Sequence, residues 1–243
     1  RLPARHGQDH QEHLPEHRAI TRSLTVNIYC ECKNMKQGLF PADAVLQIKN
    51  VRTGKVMQKS INARQIEEGF TRVDCAPLGI VACQDILLFQ VIDVKTKRVL
   101  RFEPHYLEMD EIMSSSCDIK LNIDLTVEHQ EDLLLPKYFL VHLDSKQFAD
   151  IISGEESLYK ACLRNKTNGL ESIGHINPEN DGQINFVLNG SSSGNGSAAV
   201  APGDKLSIKI EDQQQAEVFS MEFAIGNADV KNFSKTIIPQ DIS

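Results

Sequence analysis

The stretch "HGQDHQEHLPEH" carries four of the chain's eight histidines, His6, His10, His13 and His17, at spacings of four, three and four residues. On one continuous helix the four would share a face, and imidazoles four residues apart can chelate a metal. Asp9, Glu12 and Glu16 would add oxygen ligands or raise the histidine pKa values. Protonation near pH 6 would place up to about four positive charges on this short segment. Gly7 lowers the stability of such a helix, and Pro15 breaks it between His13 and His17. The segment therefore reads as a contact element before a ligand set. Arg1, Arg5, Arg18 and Arg22 would supply its hydrogen bonds and salt bridges to a neighbouring subunit, with His6 to His17 tuning them by pH. A metal site on the four histidines is the alternative.

Elsewhere the sequence holds no G-x-S-x-G elbow, H-E-x-x-H helix, P-loop or dinucleotide-binding glycine fingerprint. His105, His129, His142 and His175 stand isolated, and the carboxylates are never paired in a catalytic phrase. The expectation is a protein that is not an enzyme and takes no cofactor. The six cysteines are read by position. Cys30 and Cys32 share a strand face with Leu24, Val26 and Ile28, and Cys117 is in phase with Ile119, Leu121, Ile123, Leu125 and Val127. These are expected to be small core residues. No second thiol pair or nearby histidine completes a zinc set around Cys30 and Cys32.

Core thiols favour a reducing compartment. Four N-x-S/T sequons, at Asn165, Asn189, Asn195 and Asn232, point towards secretion instead. The net charge of −7 argues against a general nucleic-acid binder, which needs clustered Lys and Arg. The compact basic group "KTKR", Lys95 to Arg98, reads as a hairpin turn. No apolar run approaches the roughly 18 residues of a spanning helix. A start at Arg1, with no apolar signal region, is what a product cut from a precursor would show, or a piece excised from a longer chain.

The elements that must position all this are mostly strands. Residues 1–22 are polar, with Pro3 and Pro15, and read as a His-rich arm. From Leu24 an alternation of period two persists. "DAVLQIKNV" puts Ala44, Leu46 and Ile48 on one face, "RTGK" turns the chain, and Val73 is in phase with Cys75. "DILLFQVID" is apolar on both faces, as a strand in the middle of a sandwich would be. "EPHYLEMDEIM" is expected to form a short helix started by Pro104. "SKQFADIISG" suits another, with Ser145 as N-cap and Gly154 as terminator. "KYFLVHLD", "SLYKACLRN", "QINFVLN", "DKLSIKI" and "EVFSMEFAI" read as further strands, and "NGSSSGNGSAAVAPG" as a flexible loop over 189–203.

An all-β fold of β-sandwich or jelly-roll type follows, with at most a few short helices, as one large sandwich or two consecutive ones. The expected division is 1–22 arm, 23–135 first unit and 136–243 second unit. "DILLFQVID" and "DKLSIKIED" echo each other, but one nine-residue pattern is too short to establish a repeat.

Segment 23–128, with "SLTVNIYCECKNM", a loop reaching Asp43, "AVLQIKN" and "LLFQVID", resembles the C2 family of lipid-binding β-sandwiches in its rhythm. That family's calcium loops carry clustered aspartates, whereas Asp93 is followed by Val94 and Lys95. The resemblance therefore implies docking without calcium, on a protein partner or a membrane surface through Lys95, Lys97 and Arg98. The first functional expectation is a structural subunit of a capsid- or shell-like assembly, in a virion or the cytoplasm. In it the arm would contact copies of the chain or related subunits, with no transmembrane segment. The docking module is the second expectation, and a secreted, glycosylated binding protein the third.

Overall fold

The computed structural model describes residues 19–33, 40–125, 135–144, 159–174, 176–177, 183–193 and 197–238. The chain forms β-sandwiches with short helices at their edges. The first set of strands comprises β1 (Ile20–Thr21), β2 (Thr25–Lys33), β3 (Ala44–Asn50), β4 (Val56–Ile61), β5 (Thr71–Asp74), β6 (Val81–Ala82), β7 (Ile86–Asp93), β8 (Val99–Tyr106) and β9 (Ser116–Asp124). Helix α1 (Ala63–Glu67) lies between β4 and β5, and α2 (Met109–Ser114) between β8 and β9. The second set comprises β10 (Tyr138–Leu143), β11 (Lys160–Asn165), β12 (Glu171–Gly174), β13 (Ile176–Asn177), β14 (Gln183–Asn189), β15 (Lys205–Glu211), β16 (Glu217–Ala224) and β17 (Ser234–Ile237), with α3 (Asn227–Asn232) before β17.

In the first sandwich sheet β5-β2-β9 faces sheet β4-β3-β7-β8. Alternation decides what lies between them. Val26, Ile28, Val73, Cys117, Ile119, Leu121 and Ile123 come from one sheet, and Ala44, Leu46, Ile48, Leu87, Phe89 and Val91 from the other, all in one buried cluster. In the second, sheet β13-β14-β10-β17 faces sheet β12-β11-β15-β16 around Phe139, Val141, Phe186, Leu188, Leu163, Leu206, Ile208 and Met221. The single-face expectations for Leu24 to Ile28, Ala44 to Ile48, Val73 with Cys75, and Cys117 to Leu125 hold, whereas Cys30 and Cys32 are only half-buried further along β2 and Val127 lies outside the described residues.

The two sandwiches have one topology. The opening strand runs parallel to the closing strand in both, β2 with β9 and β10 with β17, and antiparallel to β5 or β14 on its other side. Six-residue helices precede both closing strands, and both end in a left-handed residue, Ser115 at φ 52° and Phe233 at φ 58°. The carbonyls of those residues accept from Thr25 N–H at 2.9 Å and from Leu140 N–H at 3.0 Å.

The faint echo in the sequence marks the same correspondence. Asp85 and Asp204 stand just before β7 and β15. Each carboxylate accepts an asparagine amide from the end of the second long strand, Asn50 Nδ2 at 2.8 Å and Asn165 Nδ2 at 3.0 Å. Each also accepts the backbone N–H three residues earlier, from Ala82 and from Ala201, both at 2.9 Å. The asparagine carbonyl oxygens accept the next hairpin N–H, from Arg52 and from Thr167, both at 3.0 Å. Both buried pairs thus meet the requirement that buried polar groups find partners.

"DILLFQVID" is apolar on both faces because the second sandwich covers its back. Leu87, Phe89 and Val91 enter the first core, while Ile86 and Leu88 pack with Leu140 and Phe233 of the second sandwich, flanked by Val51, Phe102, Tyr138 and Val187.

Three expectations need correction. Pro104 starts no helix. It lies within β8 opposite Leu88, on an edge strand where the ladder can spare an N–H, and the helix begins at Met109 with Glu108 as its cap. The latter part of the Ser/Gly loop is anchored: Ala199 and Val200 are buried in the second core, and Ala199 N–H donates to Pro136 C=O at 2.7 Å. Ile20 and Thr21, assigned to the arm, pair with β6 of the same chain, and Cys83 N–H donates to Ala19 C=O at 2.9 Å. Backbone pairing holds them while the Ile20 side chain stays exposed. The helix expected over 145–154 lies outside the described residues.

Burial also bears on the sequons. Asn165 is fully buried, its amide donating to Asp204 and to Ala199 C=O. Glycopeptide mass spectrometry of the chain made in a glycosylating host is expected to find Asn165 bare. A glycan there would mean that this hairpin forms after modification or not at all.

Candidate functional site

Along the inner face of β8, Arg101, Glu103 and His105 stand opposite the core residues Val91, Phe89 and Leu87. Strand β8 is the edge of its sheet, so these positions are half-open rather than sealed. Arg101 and Glu103 pair at 2.6 Å. Inward charges on an edge strand also discourage its pairing with another chain.

His105 meets Glu111, the third residue of α2. Its Nε2 lies 2.9 Å from Glu111 Oε2 and 3.1 Å from Oε1. Oε1 also accepts Glu108 N–H at 3.0 Å, capping the helix. Partial burial opposes the charged carboxylate, but the hydrogen bonds from His105 and Glu108 outweigh it and hold Glu111 below the usual carboxylate range. Cys117, second in β9, points inward beside Val26. His105, Glu111 and Cys117 each offer a donor atom within 4.8 Å of the other two. The imidazole, carboxylate and sulfur together form a set suited to a borderline metal such as zinc. The thiol is not an activated nucleophile. Burial first, then the neighbouring Glu111, Cys75 and Asp118, push it well above its ordinary value. Burial likewise pushes Cys75 up to about 12 and Cys30 to about 11.

The three residues line a cleft of about 800 Å³ whose far wall is Tyr138, Asn189 and Ser191 of the second sandwich. Tyr106 and Tyr138 stack at 5.5 Å across the junction. Glu108, Asp110 and Asp118 add carboxylates to its lining, which favours a cation over an anion.

The site residues expected from sequence fall elsewhere. His6, His10, His13, His17, Arg1, Arg5 and Arg18 lie outside the described residues, and Arg22 is exposed in the bend after β1. His142 is half-buried on the outer side of β10 and hydrogen-bonds Asn185 at 2.7 Å. His129 and His175 also lie outside the described residues. "KTKR" forms the expected turn, but Arg98 donates to Leu125 C=O at 3.1 Å, so it is partly engaged. Asp93 accepts Lys95 N–H at 3.0 Å within that turn, a structural use of the carboxylate that a calcium loop would need.

Sequence reading passed over the His105 cluster because its donors come from a strand, a helix and a strand, each six residues from the next. On one helix residues six apart fall on different faces, and on one strand they would share a face but lie about 20 Å apart, so only the turns around α2 bring the three together. The available signal was a histidine in core phase on a strand followed by a capping-box glutamate.

No protein-family model matches the chain. No curated protein sequence matches it either. Among solved structures it is similar to the Bacillus anthracis TIE protein, at 12% identity and a TM-score of 0.24, over 89% of this chain and 33% of that one. The chain thus spans about one third of that protein's length. It is also similar to a family 26 carbohydrate-binding module from Eubacterium rectale, at 11% identity and a TM-score of 0.26, over 88% of this chain and 90% of that one. A third is a single B repeat unit of the Staphylococcus aureus collagen-binding surface protein, at 10% identity and a TM-score of 0.26, over 88% and 96% of the two chains. The fold assignment rests on the sheets themselves. No described helix is long and apolar enough to cross a membrane.

Proposed function

We propose that the chain is a non-enzymatic structural module, two β-sandwich units over 19–135 and 136–243, that joins a larger assembly through its N-terminal arm rather than through its sheet faces. The observation that carries this is the contrast between one apolar face and its repeated counterparts. The back of the first β4-β3-β7-β8 sheet is apolar where the second sandwich covers it. The counterparts of Val51, Ile86 and Leu88 on the second sandwich are Lys166, Lys205 and Ser207, and Lys166 pairs with Glu222 there. At the other end, the counterparts of Leu140, Val187 and Phe233 are Thr25, Asp74 and Ser115. Stacking of this kind therefore stops at two units, as capping repeats stop a solenoid.

In its most specific form the assembly is a capsid- or shell-like one, with Arg1, Arg5, Arg18 and Arg22 making the contacts and the histidines tuning them. The neutral thiol of Cys117 and the engagement of His105 by Glu111 support the non-enzymatic reading, since a nucleophile needs the thiolate. Light scattering at pH 7.5 and 5.5 tests the proposal. The full chain is expected to form an oligomer, looser at the lower pH, and a chain lacking residues 1–18 to stay at one copy. Trimming at 18 keeps β1 on β6. A full chain that stays monomeric at both pH values would overturn it and leave the docking module as the better reading.

A further inference from the structure

The repeated topology assigns a partner to each residue of the His105 cluster. Glu111 corresponds to Asp229 as the third residue of the helix, and each carboxylate accepts the N–H of its helix cap, from Glu108 at 3.0 Å and from Gly226 at 2.8 Å. Cys117 corresponds to Lys235, second in the closing strand and inward-facing beside Val141 as Cys117 is beside Val26. His105 corresponds to Phe223, opposite Leu206 as His105 is opposite Leu87. In the second sandwich Lys235 Nζ lies 3.1 Å from Asp229 Oδ2, so a covalently supplied cation sits beside the capping carboxylate. In the first sandwich the counterpart of that lysine is a cysteine, and the counterpart of Phe223 is a histidine.

We propose that the first sandwich fills this cation position with a bound transition-metal dication, zinc being the best match, ligated by His105 nitrogen, a Glu111 oxygen and the Cys117 sulfur. A tetrahedral zinc with bonds of about 2.0–2.3 Å sets its ligand atoms roughly 3.3–3.8 Å apart. The donors within 4.8 Å of one another need only small side-chain rotations to reach this. The backbone that carries them is already fixed. Leu107 N–H donates to Asp85 C=O at 2.9 Å, and Ser115 C=O ties the end of α2 to β2. Binding displaces the thiol proton to solvent, and the dication takes over the charge balance that burial denies a bare thiolate. The acidic cleft supplies the approach and room for a water as fourth ligand. The metal would clip β8, α2 and β9 together at the junction.

The test is cobalt(II) titration of the metal-free full chain. One equivalent is expected to produce a thiolate-to-cobalt charge-transfer band that zinc abolishes. Saturating zinc is expected to raise Tm by roughly 5–10 °C. Cys117→Ser should lose the band and Cys162→Ser should keep it. Histidines of the arm produce no thiolate band, and oligomeric state plays no part in the readout. Glu111→Gln keeps a capping oxygen and leaves the core untouched, and it is expected to weaken cobalt binding at least tenfold. No charge-transfer band, a band that survives Cys117→Ser, or affinity unmoved by Glu111→Gln would each overturn the site.

Discussion

Replacing Asp85 by alanine is expected to cost the first sandwich about 3–5 kcal/mol, the range for breaking one side of a buried ion pair. The Asp85 side chain is 0% exposed and that of Arg52 11% exposed. Arg52 grips the carboxylate with two nitrogens, Nε at 2.6 Å and Nη2 at 3.0 Å, while Asn50 and Ala82 N–H donate to it as well. Removing the carboxylate strands a largely desolvated guanidinium and leaves further donors without an acceptor. The second sandwich supplies an internal control. Asp204 accepts from Asn165 and Ala201, but Thr167 stands where Arg52 does, so among the described residues no buried cation pairs with it. Asp204→Ala should therefore cost about 1–3 kcal/mol, the cost of unsatisfied neutral donors. Urea unfolding curves would separate the two. Adding Arg52→Thr to Asp85→Ala should return about 1–3 kcal/mol by removing the stranded charge. An Asp85→Ala loss no greater than that of Asp204→Ala would mean the ion pair contributes nothing net beyond the neutral bonds the two sandwiches share.

That network shows where sequence reading reaches and where it stops. Period-two alternation identifies β2, β3, β9, β15 and β16 and the side of each that meets the core, because burial on one face of a strand writes itself directly into residue order. The doubly apolar run at β7 likewise announces two covered faces, although not that Leu140 and Phe233 cover the second. The repeat is harder to see. What its halves share is backbone pairing and a buried Asn–Asp pair, and most positions around those polar anchors differ in chemistry, as Ile86 differs from Lys205. Asn50 and Asp85 are 35 residues apart, and nothing local links them. The "AAV" within the Ser/Gly loop was a legible core signal masked by its flanking glycines. Proline opens helices and also suits edge strands, and for Pro104 only position in the sheet decides between them.

Exchanging the junction residues for their own repeat counterparts, Ile86→Lys with Leu88→Ser, is expected to uncouple the two sandwiches while leaving each folded. Lys205 and Ser207 occupy the equivalent positions of β15 with Lys205 exposed, so the scaffold demonstrably accepts these residues when no partner covers them. In the first sandwich the same positions are 1% and 8% exposed, and burial there is supplied by Leu140 and Phe233. Each large aliphatic side chain taken from water contributes about 1.5–3 kcal/mol, so losing two removes about 3–6 kcal/mol of coupling. A lysine facing Leu140 and Phe233 adds the cost of a desolvated charge unless the faces part. Calorimetry on the unmodified chain should then show one cooperative transition, and on the variant two, with the Leu140–Phe233 face newly available to an apolar dye. Phe102 against Phe233 and Tyr106 against Tyr138, both at 5.5 Å, should lose their ring contacts at the same time, which near-ultraviolet circular dichroism would register. A variant that still melts once, at an unchanged temperature, would show that the junction does not couple the units energetically. The two-unit limit on stacking would then lack its physical basis, because an apolar face whose burial contributes nothing needs no polar counterpart to end the series.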